Sequence, residues 1–219
     1  MPAAVVFDLD YTLAVPDRDR ATILADAAAA VGAPPLSREE YLRAHRRNLT
    51  RETREPIFAD LLEGRDSDAD PADVATAYRR TIAESLRPRP GVEAMLDDLR
   101  TSYRVGLLTN GPVLAQRDKL VTLGWERAFD AALVTGELEA GKPDLRSFDA
   151  VLRELSVDPG EAVYVGDEVE ADVFGATNAG MDAIQVLLVD GPDPDPRAIA
   201  HVQGERIADE LPAVLDGLE

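Results

Sequence analysis

The residues best placed to do chemistry lie in four short polar stretches. Asp8-Leu9-Asp10 follows directly on the apolar run Ala3–Phe7, and Thr109-Asn110-Gly111 closes the run that begins at Arg104. Gly141-Lys142-Pro143-Asp144 precedes a periodic apolar segment, and Gly166-Asp167, with Asp172 beyond it, follows Ala162–Val165. Two carboxylates at the end of a buried strand are partly desolvated, which is costly unless something cationic binds there. Asp-x-Asp spacing alone proves little. It occurs five times among 25 Asp, where composition alone gives about three. Only Asp8/Asp10 follows an apolar run; Asp17/Asp19, Asp66/Asp68, Asp68/Asp70 and Asp193/Asp195 sit in polar or Pro-rich surroundings and read as solvated surface.

The other three stretches supply complementary chemistry. A Thr hydroxyl, an Asn amide and a Gly backbone leading into a helix make a cradle for an oxyanion or phosphate. Lys142 is one of two lysines in the chain. It stands just before a predicted helix, where a cation opposes the macrodipole, and that points to a functional role. Singly, Thr-Asn-Gly is an ordinary turn, Gly-Lys-Pro-Asp an ordinary helix start and Gly-Asp an ordinary cap. Together they place a nucleophile, an anion cradle, a cation and further acids at one end of one sheet, which is where open α/β sheets bind ligands.

The elements that position these residues follow from periodicity. Strands are predicted at Ala3–Phe7, Arg104–Thr109, Ala131–Thr135, Ala162–Val165 and Ala183–Leu188. Helices are predicted at Val92–Leu99, Val113–Leu123, Leu145–Leu155, Val169–Ala179 and Ala208–Leu218. Strand and helix alternate, so the fold class is α/β, a Rossmann-like three-layer core whose parallel sheet is covered on both faces. Residues 15–87 read differently. Asp17–Gly32, Ser37–Leu62 and Pro71–Leu86 carry helical spacing, Ser37 and Glu40 have capping-box spacing, and no strand is predicted. The chain therefore divides into a discontinuous core, 1–14 and 88–219, and an inserted all-helical domain, 15–87.

Composition narrows the function. The net charge of −19 repels nucleic acid and anionic membranes. No apolar stretch of membrane-spanning length and no secretion signal is seen. The absence of Cys excludes thiolate and disulfide chemistry and fits a cytoplasmic protein. Two His make a His-rich zinc site a poor expectation. With 21 Arg against 2 Lys, the acidic excess suggests a salt-adapted protein from a GC-rich genome. Residues 15–87 carry 12 Arg and 14 acids, so the insertion is nearly neutral and the rest strongly acidic. Arg43, Arg47, Arg51 and Arg54 fall at helical spacing. They form either a solvated face paired with neighbouring Glu or, in the sharper reading, a stripe in which some Arg meet an anionic substrate.

The four motifs, in this order, resemble the haloacid dehalogenase (HAD-like hydrolase) superfamily, in its subgroup with a helical cap inserted after the first motif. Gly175-Ala176-Thr177-Asn178-Ala179-Gly180-Met181 is similar to the usual continuation of the last motif. The resemblance covers the α/β part; the insertion matches in position and helical character. It implies that Asp8 is the nucleophile that becomes an aspartyl-phosphate, and that Asp10 is the acid for the leaving alcohol and then the base for water. Thr109, the Asn110 backbone and Gly111 would hold the phosphoryl oxygens, and Lys142 would neutralise charge. Mg2+ would be held by Asp8, the Asp10 main-chain carbonyl and Asp167, with Asp172 orienting Lys142 or the metal. The implied function is Mg2+-dependent hydrolysis of a small-molecule phosphomonoester. Alternatives on the same core are a 2-haloacid dehalogenase, which usually lacks the second Asp and needs no metal, and a phosphomutase. A non-enzymatic phosphate-binding module would be expected to have lost a motif acid. Two positions depart from the pattern: Glu168 where a small hydroxyl residue is common, and Ala171 where Asn or Asp often stands. Gln116 and Lys119 after Thr-Asn-Gly resemble nucleotidase-like and acyl-sugar phosphatase members.

Overall fold

Val5 and Phe7 alternate with Ala4 and Val6 along the first strand, and all are fully buried. Such a strand can only sit between two apolar layers. The structure, a computed structural model, describes residues 2–218. In it β1 (Ala4–Phe7) lies at the centre of a six-stranded parallel sheet. The other strands are β4 (Arg104–Thr109), β5 (Ala131–Val134), β6 (Ala162–Gly166), β7 (Asp182–Leu187) and β8 (Ala200–Gln203), in the order β5-β4-β1-β6-β7-β8. β1 pairs on one side with β4, Phe7 opposite Leu107, and on the other with β6, Phe7 opposite Val165. The chain runs outward from β1 to β4 and β5, then returns to start the other half at β6. The reversal leaves a crevice at the carboxyl ends of β1, β4 and β6.

The two faces of the sheet bury separate clusters. Val5 and Phe7 pack with Met95, Leu96 and Leu99 of α5 (Val92–Leu99) and with Leu211 and Leu215 of α9 (Ile207–Asp216). Ala4 and Val6 pack with Phe148, Val151, Leu152 and Leu155 of α7 (Leu145–Leu155). The predicted α/β architecture is therefore present, as are the predicted boundaries of β4, α5 and α7 and of α6 (Val113–Leu123).

Between β1 and α5 the chain forms a helical layer of α1 (Arg20–Ala30), α2 (Arg38–Arg47), α3 (Glu55–Leu62) and α4 (Pro71–Ser85). Its own core is built on Ile23, Leu24, Tyr41, Phe58, Val74, Tyr78 and Ile82. The Ser37 hydroxyl caps α2 by accepting from the Glu40 N–H, half of the capping box that the spacing predicted; the Glu40 carboxylate accepts from Arg65 at 2.9 Å and does not complete it. The expectation of no strand in residues 15–87 is corrected. β2 (Ala14–Pro16) and β3 (Leu86–Pro88) form an antiparallel pair where the chain enters and leaves the helical layer. Three-residue strands containing Pro carry no alternation to read. β8 was also unpredicted; it is short, and only Val202 of its four residues is buried. The segment predicted as helix Val169–Ala179 is a π-helical turn, Val169–Phe174, followed by one turn, α8 (Gly175–Asn178). The Glu168 carbonyl accepts from both Asp172 and Val173, which widens that turn.

Candidate active site

Each strand end in the crevice delivers one of the polar stretches. Beyond Phe7 the chain turns sharply, with Leu13 N–H and Ala14 N–H both bonding the Leu9 carbonyl. Tyr11 takes the left-handed conformation, φ 64°, which is strained for a non-glycine residue. Buried Arg89 pins the turn by donating from Nε and Nη2 to the Tyr11 carbonyl at 3.1 and 2.8 Å. The result is that Asp8 and Asp10 line one cleft of ≈ 630 Å³, together with Thr109, Asn110, Lys142 and Asp172.

Lys142 is the hub of the first half of the site. Its Nζ donates to Asp8 Oδ1 at 2.8 Å, to Asp172 Oδ1 at 2.7 Å and to the Tyr164 hydroxyl at 2.7 Å. The Tyr164 O–H in turn donates to the Leu108 carbonyl at 2.8 Å. Three acceptors around one buried ammonium require all three of its protons. Burial works against the charge on Lys142, but Asp172 and Asp8 raise its pKa well above the ordinary lysine value. Asp172 is fixed from its other oxygen by the Glu168 N–H at 2.9 Å. Gly166 makes room for it: a Cβ there would lie 2.4 Å from Asp172 Cγ.

The acids outnumber that one cation. Asp8, Asp167 and Asp172 are all buried and offer carboxylate oxygens within 4.8 Å of one another. Burial raises Asp8 to about 7, with Lys142 opposing and Asp172 and Asp10 reinforcing the rise. Burial, then Asp172 and Asp8, raise Asp167 well above the usual carboxylate range; among the described residues its one side-chain donor is Thr12 Oγ1 at 3.0 Å. This excess of buried negative charge on hard oxygen donors fits a divalent cation such as Mg2+. Glu168 lies on the rim of the same cleft with its side chain exposed, and Ala171 lines it as well.

Asp10 stands apart from that cluster. Its Oδ1 accepts from Arg20 at 2.7 Å, and its Oδ2 accepts from Gln116 at 3.0 Å and from Lys119. Burial pushes its carboxyl up, but Lys119 and Arg20 together outweigh burial and hold it well below the usual range. With both carboxylate oxygens engaged, the main-chain carbonyl is the Asp10 atom left for a metal. Gln116 also donates to Thr109 Oγ1 at 2.6 Å, which leaves the Thr109 proton free to serve an anion.

The anion cradle differs from expectation in two atoms. The Asn110 side chain is spent on the Lys142 main chain, donating to its carbonyl at 3.1 Å and accepting its N–H at 2.9 Å. The Gly111 N–H is spent on Thr135 Oγ1 at 3.0 Å. Thr109 and the Asn110 backbone remain at the cleft. The Asn110 bonds lock the second motif to the third, which the sequence order of the motifs did not reveal.

The opposite wall belongs to the helical layer: Arg20, Arg38, Tyr41, His45, Arg46 and Arg54. Of the predicted arginine stripe only Arg54 faces the cleft. Arg43 pairs with Glu39 and Arg47 with Asp60 on the outer surface, and Arg51 is exposed and bonds Asn48. Sequence reasoning missed Arg20, Tyr164 and His45. Tyr164 lies inside an apolar strand run and reads as core; its signal was a hydroxyl that must find a partner when buried.

Comparison with known proteins places this geometry. Over 208 residues the chain is 33% identical to a glyceraldehyde 3-phosphate phosphatase of Methanopyrus kandleri, an alignment covering 90% of this chain and 89% of that enzyme. The Methanothermobacter thermautotrophicus enzyme of the same name is 38% identical over 110 residues, 50% of this chain and 49% of its own length. Among solved structures, a HAD phosphatase from Thermococcus onnurineus superposes with a TM-score of 0.69 at 28% identity, covering 98% of both chains. The family model for haloacid dehalogenase-like hydrolases matches residues 5–186, from the first buried strand to β7, and the chain belongs to that family.

Proposed function

We propose that this protein is a Mg2+-dependent phosphatase that hydrolyses a small phosphomonoester through an aspartyl-phosphate on Asp8. The observation that carries the reading is the position of Asp8. It is a buried carboxylate held 2.8 Å from Lys142, beside two more buried acids, in a cleft also lined by Thr109. Asp8, Asp167 and the Asp10 carbonyl would hold the metal; when bound, it neutralises the acids and draws negative charge from the transferring phosphoryl group.

The residues of the chain then divide the work. Lys142 and Thr109 hold phosphoryl oxygens while an Asp8 oxygen attacks phosphorus and the bond to the leaving alcohol breaks. Asp10 delivers the proton to that alcohol. Water then attacks the aspartyl-phosphate as Asp10 takes its proton, releasing phosphate and restoring Asp8. In this structure Asp10 is held ionised, the form suited to the second step. Loading the proton for the first step requires that its contacts with Arg20 and Lys119 loosen.

Residues 15–87 act, in this reading, as a cap on the core formed by 1–14 and 88–219, closing over the cleft and excluding water. The acidic surface, with a net charge of −19, supports a salt-adapted protein, and we place it in the cytoplasm. The test is a screen of small phosphoesters with and without Mg2+, at low and molar KCl, with Asp8→Asn as control. Metal-dependent phosphate release that vanishes in Asp8→Asn is expected. Activity persisting in that variant overturns the assignment of the nucleophile.

A further inference from the structure

The cleft holds positive charge that the hydrolytic groups leave unused. Arg54 is 5% exposed, yet its Nε and Nη1 are buried with no hydrogen-bond partner, and it forms no ion pair among the described residues. It opens α3 without capping it, and its guanidinium lies 5.3 Å from the centre of the Tyr78 ring. Arg38 repeats the pattern, with Nη1 buried and unpartnered and the guanidinium 5.1 Å from the centre of the Tyr41 ring. Both line the cleft from the helical side. A buried guanidinium without an acceptor is costly, and an aromatic face offsets only part of that cost. Arg20 also has a buried, unpartnered Nε, but its charge is already matched by Asp10, a match that Arg54 and Arg38 lack among the described residues. His45 lies on the same wall, stacked on Tyr41 at 5.9 Å between ring centres. Burial, then Arg54 and Lys119, lower its pKa to about 3, so it adds a neutral polar group rather than a further cation.

The forks of Arg54 and Arg38 suit a planar or tetrahedral oxyanion, and the phosphoryl position at Asp8 already has Lys142 and Thr109. We propose that Arg54, with Arg38, binds a second oxyanion of the substrate, a carboxylate or a second phosphate, while the scissile phosphoryl group sits at Asp8. This rests on the phosphatase reading and narrows it to phosphomonoesters with two anionic ends.

The test uses matched two- and three-carbon phosphoesters ending in a hydroxyl, a carboxylate or a second phosphate. Their kcat/KM values are measured with the Mg2+-loaded enzyme, and their Kd values with the Asp8→Asn protein by calorimetry. Charge-assisted hydrogen bonds predict that at least one anion-ended ester exceeds its hydroxyl-ended partner by about tenfold or more, chiefly in KM. Whether the carboxylate or the bisphosphate wins identifies the group. In Arg54→Met the ratio should collapse to within about threefold of one, with Arg54→Lys between. Ligand-free Arg54→Met should melt no lower than wild type, because the cost of burying the unmatched charge exceeds the Tyr78 contact that is lost. Equal ratios in the wild type, a ratio untouched by Arg54→Met, or a melting point lowered by more than about 5 °C would each overturn the proposal. If no ester is hydrolysed, the phosphatase reading fails, and the Kd ratios still decide this one.

Discussion

Asp8→Asn and Asp10→Asn are isosteric changes two positions apart, and they should move stability in opposite directions. Burial raises the Asp8 carboxyl to about 7 from an ordinary 3.8, even against the pull of Lys142. The protonated form therefore stabilises the metal-free fold fully below about pH 4, and that stability is lost as pH rises through 7. At about 1.4 kcal/mol per pH unit the loss reaches at most about 4 kcal/mol at pH 8. Asn never ionises, so Asp8→Asn should recover up to that amount at pH 8 and less than half of it at pH 5. Lys142 keeps Asp172 as its partner throughout. Asp10 has the reverse sign: its carboxylate is held low by Lys119 and Arg20, whose side chains are 3% and 7% exposed. At pH 5 Asn there leaves Arg20 and Lys119 as unmatched buried cations, at a cost of roughly 3–5 kcal/mol, and less at pH 8, where burial, which lowers Lys119 to about 7, lets it shed its proton. Urea unfolding in chelator at pH 5 and pH 8 measures both. Destabilisation of Asp8→Asn by more than about 1 kcal/mol at pH 8 would refute the reasoning, since it would mean that the Lys142 attraction exceeds the cost of burial.

Further outcomes follow from the same geometry. Millimolar Mg2+ should raise the melting temperature more at pH 8 than at pH 5, because Asp8 and Asp167 carry protons at the lower pH; equal shifts in a thermal scan would count against these acids as ligands. Tyr164→Phe removes an acceptor from Lys142 and the donor to the Leu108 carbonyl, and should cost about 1–3 kcal/mol in urea unfolding. Gly166→Ala puts a methyl group 2.4 Å from Asp172 Cγ, forcing Asp172 away from Lys142. Its kcat/KM should fall by about 10–100-fold, and near wild-type turnover would show that Asp172 is dispensable.

How much of this was legible depended on where the information resides. The strands and helices of the core carry their own periodicity, and β4 and α7 begin and end where the pattern does. The four motifs were legible because each sits at the end of such an element. The unpredicted features are tertiary. Nothing local to Ala14–Pro16 or Leu86–Pro88 says that these segments pair. Arg20 shows helical surroundings, and only the folded position of α1, packed on α4, brings it to Asp10. The arginine stripe was a regular pattern with the wrong address: spacing groups Arg43, Arg47, Arg51 and Arg54, but the chain leaves the helix after Arg47, so Arg54 alone turns inward. The Asn110 amide was read by its chemistry, and geometry gave it to the Lys142 backbone instead.

The pairing of Ala14 with Pro88 has a consequence for how the molecule can change. The strand leading into the helical layer and the strand leading out of it are zipped side by side, so the chain enters and leaves that layer at one place, while the Arg51 and Glu52 carbonyls accept from the Val113 and Leu114 N–H groups across the seam. Exchanging that appended body for another would leave the registers of β1 with β4 and β6 untouched. On the proposed function, what the enzyme admits and how it cleaves would thus be written in separable parts of the chain. Arg20 is one stitch between them, a residue of the appended body that grips Asp10 at the rim of the sheet.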